Sequence, residues 1–235
     1  MEAIVLAGGF GTRLRALVPD TPKPMAPVAG KPFLEILLQA LAQKGFTRVV
    51  LSLGFLAHKV SEHFGVRFAG MDLHYVVEDH PLGTGGAVRL ALASCMQDHV
   101  FVFNGDTFLD LEAHAVEAAW QTDKRPVVVA RQVPDAARYG RLLTQADRVS
   151  GFAEKGTTGP GLINAGCYVF ARNQLDSFAL HRNFSLEADY LAHAVQTIAF
   201  KAFVTQGLFI DIGVPDDYLR AQTMLAHIAV AGTTP

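Results

Sequence analysis

Apolar positions along the chain follow two alternating rhythms. Short apolar runs at 3–7, 49–53, 73–77, 100–103 and 127–130, rich in valine, have the length and composition of strands covered on both faces. Between them, 32–44, 56–64, 85–96 and 111–121 place apolar residues three and four apart, as in Phe33, Ile36, Leu37, Ala40 and Leu41, the spacing of one helix face. Strand then helix, repeated, predicts an α/β sandwich around a mostly parallel sheet.

After about residue 130 the rhythm loosens into shorter pieces. Strand-like runs are expected at 142–144, 149–154, 164–170, 200–205 and 208–212, with a helix over 186–196. A last helix is expected over 215–229, opened by Pro215 at a favoured first-turn position and by Asp216 and Asp217 at the positive helix end. No period of 20 to 50 residues recurs, and only the tail from Ala231 to Pro235 looks frayed.

Composition sharpens this picture in one respect. Half of the 235 residues are hydrophobic and 18% are charged, against a usual charged share of about a quarter, so a large core needs neither disulfide nor structural metal. Cys95 and Cys167 lie far apart and read as buried thiols, the histidines form no HExxH pattern, and no serine, cysteine and histidine set suggests a covalent nucleophile. The net charge of −2 offers no global attraction to nucleic acid or to an anionic membrane, so any anion must be bound locally. The first apolar run is too short for a signal peptide or a membrane span, which leads to the expectation of a cytoplasmic protein.

Candidate chemistry starts where the first strand ends, in Leu6, Ala7, Gly8, Gly9, Phe10, Gly11, Thr12, Arg13 and Leu14. A glycine-rich turn after a strand lets backbone N–H groups approach a phosphate. The run is not a dinucleotide fingerprint, because leucine stands where GxGxxG needs its last glycine. Gly30-Lys31 is not a Walker A loop either, since Pro32 follows and the earlier glycine is missing. Arg13 follows the turn directly, and Lys23 sits between Pro22 and Pro24, which are expected to hold it in a rigid extended segment.

The glycine run together with Pro-Lys-Pro-Met resembles the signature of the sugar-1-phosphate nucleotidyltransferases. The resemblance extends through Glu78 to Gly86, Asn104-Gly105-Asp106, Glu154-Lys155, Asn164-Ala165-Gly166 and Asp211-Ile212-Gly213, in the family's order. It implies a Rossmann-like three-layer α/β/α sandwich with a mostly parallel mixed sheet. It also implies one domain with a nucleotide-binding half to about residue 130 and a sugar-phosphate-binding half over about 131–230.

Site residues follow from the same resemblance. Leu6, Ala7, Gly8, Gly9, Gly11, Thr12, Arg13, Lys23, Glu78, Gly83, Thr84, Asn104 and Gly105 would bind the nucleotide, with Arg13, Lys23 and Asp106 catalytic. Asp106 and Asp211 each end an apolar strand, where open α/β sheets place their ligands, and would hold Mg2+ through hard oxygen donors. Glu78 matches the position that reads the base edge. A carboxylate only accepts hydrogen bonds, which suits the N1–H and N2–H of guanine better than the mixed face of uracil or thymine. Tyr139, Gly140, Glu154, Lys155 and Asn164 would contact the sugar and its phosphate, while Glu187 lies in a similar block without an assignable role.

The implied reaction transfers GMP from GTP to a sugar 1-phosphate, giving a GDP-sugar and pyrophosphate. With Glu78 and the Pro-Leu-Gly-Thr-Gly-Gly-Ala run, the short chain is most similar to bacterial D-glycero-D-manno-heptose 1-phosphate guanylyltransferases, which serve surface polysaccharide synthesis; mannose 1-phosphate is the rival substrate. No β-helix periodicity follows the catalytic blocks, and a homodimer is a possible assembly. Two other classes remain as alternatives: a catalytically silent nucleotide-sugar-binding regulator, and a dinucleotide-dependent oxidoreductase.

Overall fold

The structure, a computed structural model, describes residues 1–9, 14, 18 and 21–231. Its first half runs β1 (Glu2–Leu6), β2 (Pro27–Val28), β3 (Lys31–Pro32), α1 (Phe33–Gln43), β4 (Arg48–Leu53), α2 (Ala57–Phe64), β5 (Arg67–Phe68) and β6 (Met71–Val77). It continues through α3 (Gly83–Leu92), β7 (His99–Asn104), β8 (Thr107–Leu109), α4 (Ala113–Asp123) and β9 (Val127–Val133). The second half contains β10 (Leu142–Gln145), β11 (Arg148–Phe152), β12 (Gly161–Ala171), a π-helical turn (Leu186–Leu191) leading into α5 (Ala192–Thr197), β13 (Lys201–Thr205), β14 (Phe209–Asp211), α6 (Pro215–Met224) and α7 (Ala226–Ala231).

Among the described residues one sheet of ten strands runs in the order β10-β11-β13-β9-β12-β7-β1-β4-β6-β5. β6, β4, β1 and β7 are mutually parallel, and β9 with β13 point the same way; β5, β11 and β12 oppose them. The two faces of β1 explain the layers. Ala3 and Val5 join a core with Leu34, Leu37 and Leu41 of α1, Val60 of α2 and Val116 of α4. Ile4 joins Val88 and Leu92 of α3, Leu191 of the π-helical turn and Val195 of α5 on the other face. Helices on both faces of a mixed, mostly parallel sheet form the expected three-layer sandwich.

A third cluster lies beside the sheet. Phe33 and Ile36 of α1, Phe108 of β8, Ile210 of β14 and Ala221 of α6 pack together, and β14 pairs antiparallel with β8 so that Asp211 stands opposite Thr107. This small ribbon brings the end of the chain back to the residues that follow Asp106.

Three local expectations change. Pro22 is extended, but Lys23–Met25 forms one turn of 3-10 helix, with the Met25 N–H donating to the Pro22 carbonyl at 2.7 Å; Pro24 fits because the first turn leaves its N–H unused. α3 starts at Gly83, earlier than expected, where φ is +68°. The last helix bends at Leu225, whose φ of −98° and ψ of 0° end α6, while Leu225 and Ala229 both stay buried in the third cluster.

The end of β1 remote from its glycine turn is held by a buried carboxylate. Glu2 accepts hydrogen bonds from the Met96 and Gln97 amides, each at 2.9 Å, and from Arg48 Nε at 2.8 Å. Removing it leaves these donors without their partner, at roughly 1–3 kcal/mol for each group that stays buried. Glu2→Ala should therefore lose about 2 kcal/mol or more in urea unfolding.

Candidate functional site

The parallel strands β1, β4, β6 and β7 all end at one side, and the chain segments that follow them enclose a cavity of about 470 Å3, within the range of small-molecule sites. Leu6 ends β1, and Ala7, Gly8 and Gly9 follow it; Ser52, Gly54 and Phe55 come from β4 and its exit; Glu78 to Pro81 follow β6; Gly83, Thr84 and Ala87 lie in α3; Asn104 ends β7, and Gly105 and Asp106 follow it. Lys23 and Pro24 close the remaining side.

Backbone contacts beyond the strand ends draw these segments together. Ala7 N–H donates to Ser52 O at 2.8 Å, Glu78 N–H to Leu53 O at 2.8 Å, and Gly105 N–H to Leu6 O at 2.9 Å. Gly105 is required by that approach, since a Cβ there would lie 2.5 Å from the Leu6 carbonyl oxygen. At Gly8 a Cβ would meet Glu78 Oε1 at 2.9 Å and Gly54 N at 3.1 Å. The glycine run is therefore partly a packing device, and Gly9, with open space around it, is the glycine that faces the cavity freely.

Glu78 is half-buried. Its Oε2 accepts the Leu82 N–H at 2.9 Å. Burial pushes its carboxyl up, opposed by the Leu82 N–H, the Ser52 hydroxyl and His80. Lys23 Nζ pairs with Asp106 Oδ2, tying the Pro-Lys-Pro segment to the end of β7. Asp211 lies close to both, with its Oδ1 accepting the Gly213 N–H at 2.6 Å. Burial and then the neighbouring Asp106 carboxylate push the Asp211 carboxyl up, against the pull of Lys23.

These charges decide what the site can accept. Glu78, Asp79 and Asp106 line the cavity against Lys23 among the described residues, and Asp211 adds another carboxylate beside it. A polyphosphate would meet more negative than positive charge there. Asp106 and Asp211 both offer hard oxygens on adjacent strand ends, so a divalent cation fits this donor set. Among the described residues no group of three or more His, Cys, Asp or Glu could hold a metal by itself, which leaves a two-carboxylate site whose remaining ligands would be phosphate oxygens and water.

Of the expected nucleotide residues, Leu6, Ala7, Gly8, Gly9, Lys23, Glu78, Gly83, Thr84, Asn104 and Gly105 line the cavity, together with Asp106. Gly11, Thr12 and Arg13 lie outside the described residues. The expected sugar residues do not line the cavity. Gly140, with φ +78°, packs against the Ala153 carbonyl and near Lys155, so it neighbours Glu154 and Lys155 as a separate group. Tyr139 lines a second cavity of about 390 Å3 with Phe209 and Arg138, and Arg138 and Arg220 both pair with the buried Asp217 of α6. Asn164 lies on β12, before the part of the strand that pairs with β7, and a Cβ on nearby Gly166 would lie 2.6 Å from Asn104 Nδ2.

Sequence patterns did not point to Ser52, Phe55 or Tyr168. Ser52 is hidden inside an apolar strand run, and Tyr168 reads as core until Asn164 Nδ2 is seen to donate to its hydroxyl at 2.7 Å. The Gly83 to Gly86 run has a second use that only the fold reveals: a Cβ on Gly83 would lie 2.5 Å from the Phe184 carbonyl oxygen, and one on Gly86 2.3 Å from that of Arg182.

No helix among the described residues is long and apolar enough to cross a membrane. A D-glycero-alpha-D-manno-heptose 1-phosphate guanylyltransferase of Aneurinibacillus thermoaerophilus is 37% identical over 228 residues, covering 97% of this chain and 99% of that protein. A mannose-1-phosphate guanylyltransferase of Mycobacterium tuberculosis is 35% identical across 97% of this chain, which spans 65% of that longer protein. The crystal structure of HddC from Yersinia pseudotuberculosis complexed with GMP-PN superposes with a TM-score of 0.86 at 35% identity, covering 95% of this chain and 99% of that one. The nucleotidyl transferase family model matches residues 2–227, and with these relatives it shows that the chain belongs to that family of enzymes.

Proposed function

We propose that the protein transfers GMP from GTP to D-glycero-α-D-manno-heptose 1-phosphate, releasing pyrophosphate and forming a GDP-sugar. The observation that carries the guanine assignment is Glu78, a half-buried carboxylate at the cavity wall, held by the Leu82 amide and able only to accept. Guanylyltransferase relatives across nearly the whole chain support the same base, and the full-length match to the heptose enzyme favours heptose over mannose.

The nucleophile is a phosphate oxygen of the sugar 1-phosphate, which is already largely dianionic near neutral pH because its second pKa is about 6. It forms a new bond to the α-phosphorus of GTP while the bond to the pyrophosphate oxygen breaks. No general base is needed, so this chain contributes position and charge. Lys23 stabilises charge around the α-phosphorus, and the Gly8 and Gly9 backbone approaches the phosphates. Arg13, outside the described residues, is proposed to hold the leaving pyrophosphate. Asp106 and Asp211 would hold a divalent cation, Mg2+ by its preference for carboxylate and phosphate oxygens, which supplies further charge neutralisation when bound. Tyr139, Gly140, Glu154, Lys155 and Asn164 are proposed to form the sugar-phosphate half of the site.

One assay matrix tests this reading. Crossing GTP, ATP, UTP and dTTP with heptose, mannose and glucose 1-phosphates, and following pyrophosphate release, should give the highest kcat/KM for GTP with the heptose. Preferential turnover with UTP or dTTP would remove the base assignment, and preference for mannose 1-phosphate would move the protein to the rival substrate. Glu78→Gln should lower kcat/KM for GTP by about tenfold or more, the factor expected when a charge-assisted hydrogen bond is lost, while UTP is affected less.

Asp211 generates a prediction of opposite sign for stability and activity. Because its carboxyl is pushed up in the folded chain, its favourable contribution is complete at acid pH and is lost as the pH rises through that raised value. At pH 7.5 the ionised carboxylate is thus a cost to the substrate-free protein. Asp211→Asn should melt higher than the parent without substrates, in calorimetry, and lose pyrophosphate release by orders of magnitude.

A further inference from the structure

We infer that Ser52 is a positioning residue for base selection, whose buried hydroxyl donates to Glu78 in the nucleotide complex and fixes the plane in which that carboxylate meets guanine. This deepens the guanine reading above and rests on it.

Ser52 is a hydroxyl in an otherwise apolar stretch of strand. In β4, Leu51 and Leu53 join the core under α1, α2 and α4, whereas Val50 joins the core under α3. Side chains alternate along a strand, so Ser52 points with Val50 to the α3 face, in register with Leu6 of β1 and Val76 of β6. It is fully buried, and its Oγ has no hydrogen-bond partner among the described residues. A buried hydroxyl left unpaired costs roughly 1–3 kcal/mol, a penalty that alanine at the same place would not carry.

The neighbouring carboxylate gives the hydroxyl a use. The Glu78 N–H donates to Leu53 O, which extends the β4–β6 register by one step and sets Gly54 opposite Glu78. With no side chain at Gly54, the Glu78 side chain lies across the end of β4. A Cβ on Gly8, on the far side of that strand, would be 2.9 Å from Glu78 Oε1. Ser52 lies on the face that the carboxylate crosses, near enough to pull the Glu78 carboxyl down against the push of burial. Although Ser52 borders the cavity, none of its surface is exposed, so it acts through Glu78 and not on the base itself.

Lone pairs decide what this arrangement can read. A carboxylate has about four acceptor sites. The Leu82 N–H occupies one, at Oε2, and the Ser52 hydroxyl would occupy a second, which leaves two for a ligand. The pairing edge of guanine presents two adjacent donors, N1–H and N2–H, where uracil and thymine present one.

Other charges face Glu78 as well. Asp79 and His80 follow it in the chain, and Lys23 and Asp106 line the same cavity. A substitution at Ser52 leaves all four in place, so the difference between parent and variant reports the hydroxyl.

Steady-state kinetics of Ser52→Ala across pH, with GTP and with ITP, provide the test. ITP lacks the N2 amino group and so one of the two donors. The expected result is a kcat/KM for GTP lowered about tenfold, the loss of one hydrogen bond to a charged group, with the KM for the sugar 1-phosphate unchanged and the melting temperature not lowered. The preference for GTP over ITP should shrink. Glu78 must be ionised to accept from guanine, and the hydroxyl favours the ionised form, so its loss should move the acid limb of kcat/KM for GTP to higher pH. Ser52→Thr keeps the hydroxyl and should hold that limb where the parent has it, even with a melting temperature lowered by the added methyl. An unchanged preference for GTP over ITP in Ser52→Ala, or an acid limb that stays in place, overturns the inference; a melting temperature that falls at the same time makes Ser52 a packing residue. Parent protein that prefers UTP or dTTP to GTP would instead overturn the base reading itself, and the inference with it.

Discussion

Three backbone hydrogen bonds that extend the parallel ladder beyond its strands, Ala7 to Ser52, Glu78 to Leu53 and Gly105 to Leu6, hold the site together. They keep four chain segments at strand spacing after the strands have ended, which is closer than side chains usually permit. Glycine at positions 8, 54 and 105 is the consequence, because a Cβ at each would come within about 3 Å of backbone or of the Glu78 carboxylate. At the base of the cavity beyond them backbone stands where a side chain would clash, while Phe55, Pro81, Glu78, Asp106 and Lys23 supply side chains around it.

The same constraint reaches the second half of the chain. Gly83 and Gly86 let the Arg182–Phe184 segment pack directly on the start of α3, and the Thr84 hydroxyl then takes the Leu186 N–H. Gly166 brings β12 against Asn104. The β8–β14 ribbon carries Asp211 to the neighbourhood of Asp106 and Lys23. Close backbone approaches thus couple the nucleotide cavity, the carboxylate pair and the Asn164–Glu187 pair, although their residues are up to about two hundred positions apart in the chain.

How much of this could be read from the sequence depended on how local each signal is. Strands β1, β4, β6, β7 and β9 and helices α1, α2 and α4 follow from periodicity alone, because their apolar residues repeat within one element, whereas the short β2, β3, β5 and β8 carry no such run. The cavity wall was legible where it coincides with compact motifs: Gly8-Gly9, Lys23, Glu78 and Asn104-Gly105-Asp106. Lys23 shows the limit of local rules, since two flanking prolines suggested extended backbone and the chain instead makes a single 3-10 turn. Ser52 and Tyr168 were illegible because their polar atoms lie within apolar strands. Glu187 was visible as a residue, but it lies in the π-helical turn and its partner Asn164 is 23 positions away on β12.

Charge placement explains why so neutral a chain can handle polyphosphates. Its net charge is −2, and the described cavity wall carries more carboxylates than ammonium groups. A densely basic pocket would bind triphosphate, pyrophosphate and product alike, gaining affinity for the ground state without selective stabilisation of the transition state. On the proposed function, carboxylates that hold a cation, with Lys23 paired to one of them, would make favourable charge conditional on assembly of the complete site. The cost falls on the substrate-free protein, where Asp211 is partly buried beside Asp106 and its ionised form is disfavoured. Selection for turnover accounts for keeping such a group where stability alone would replace it.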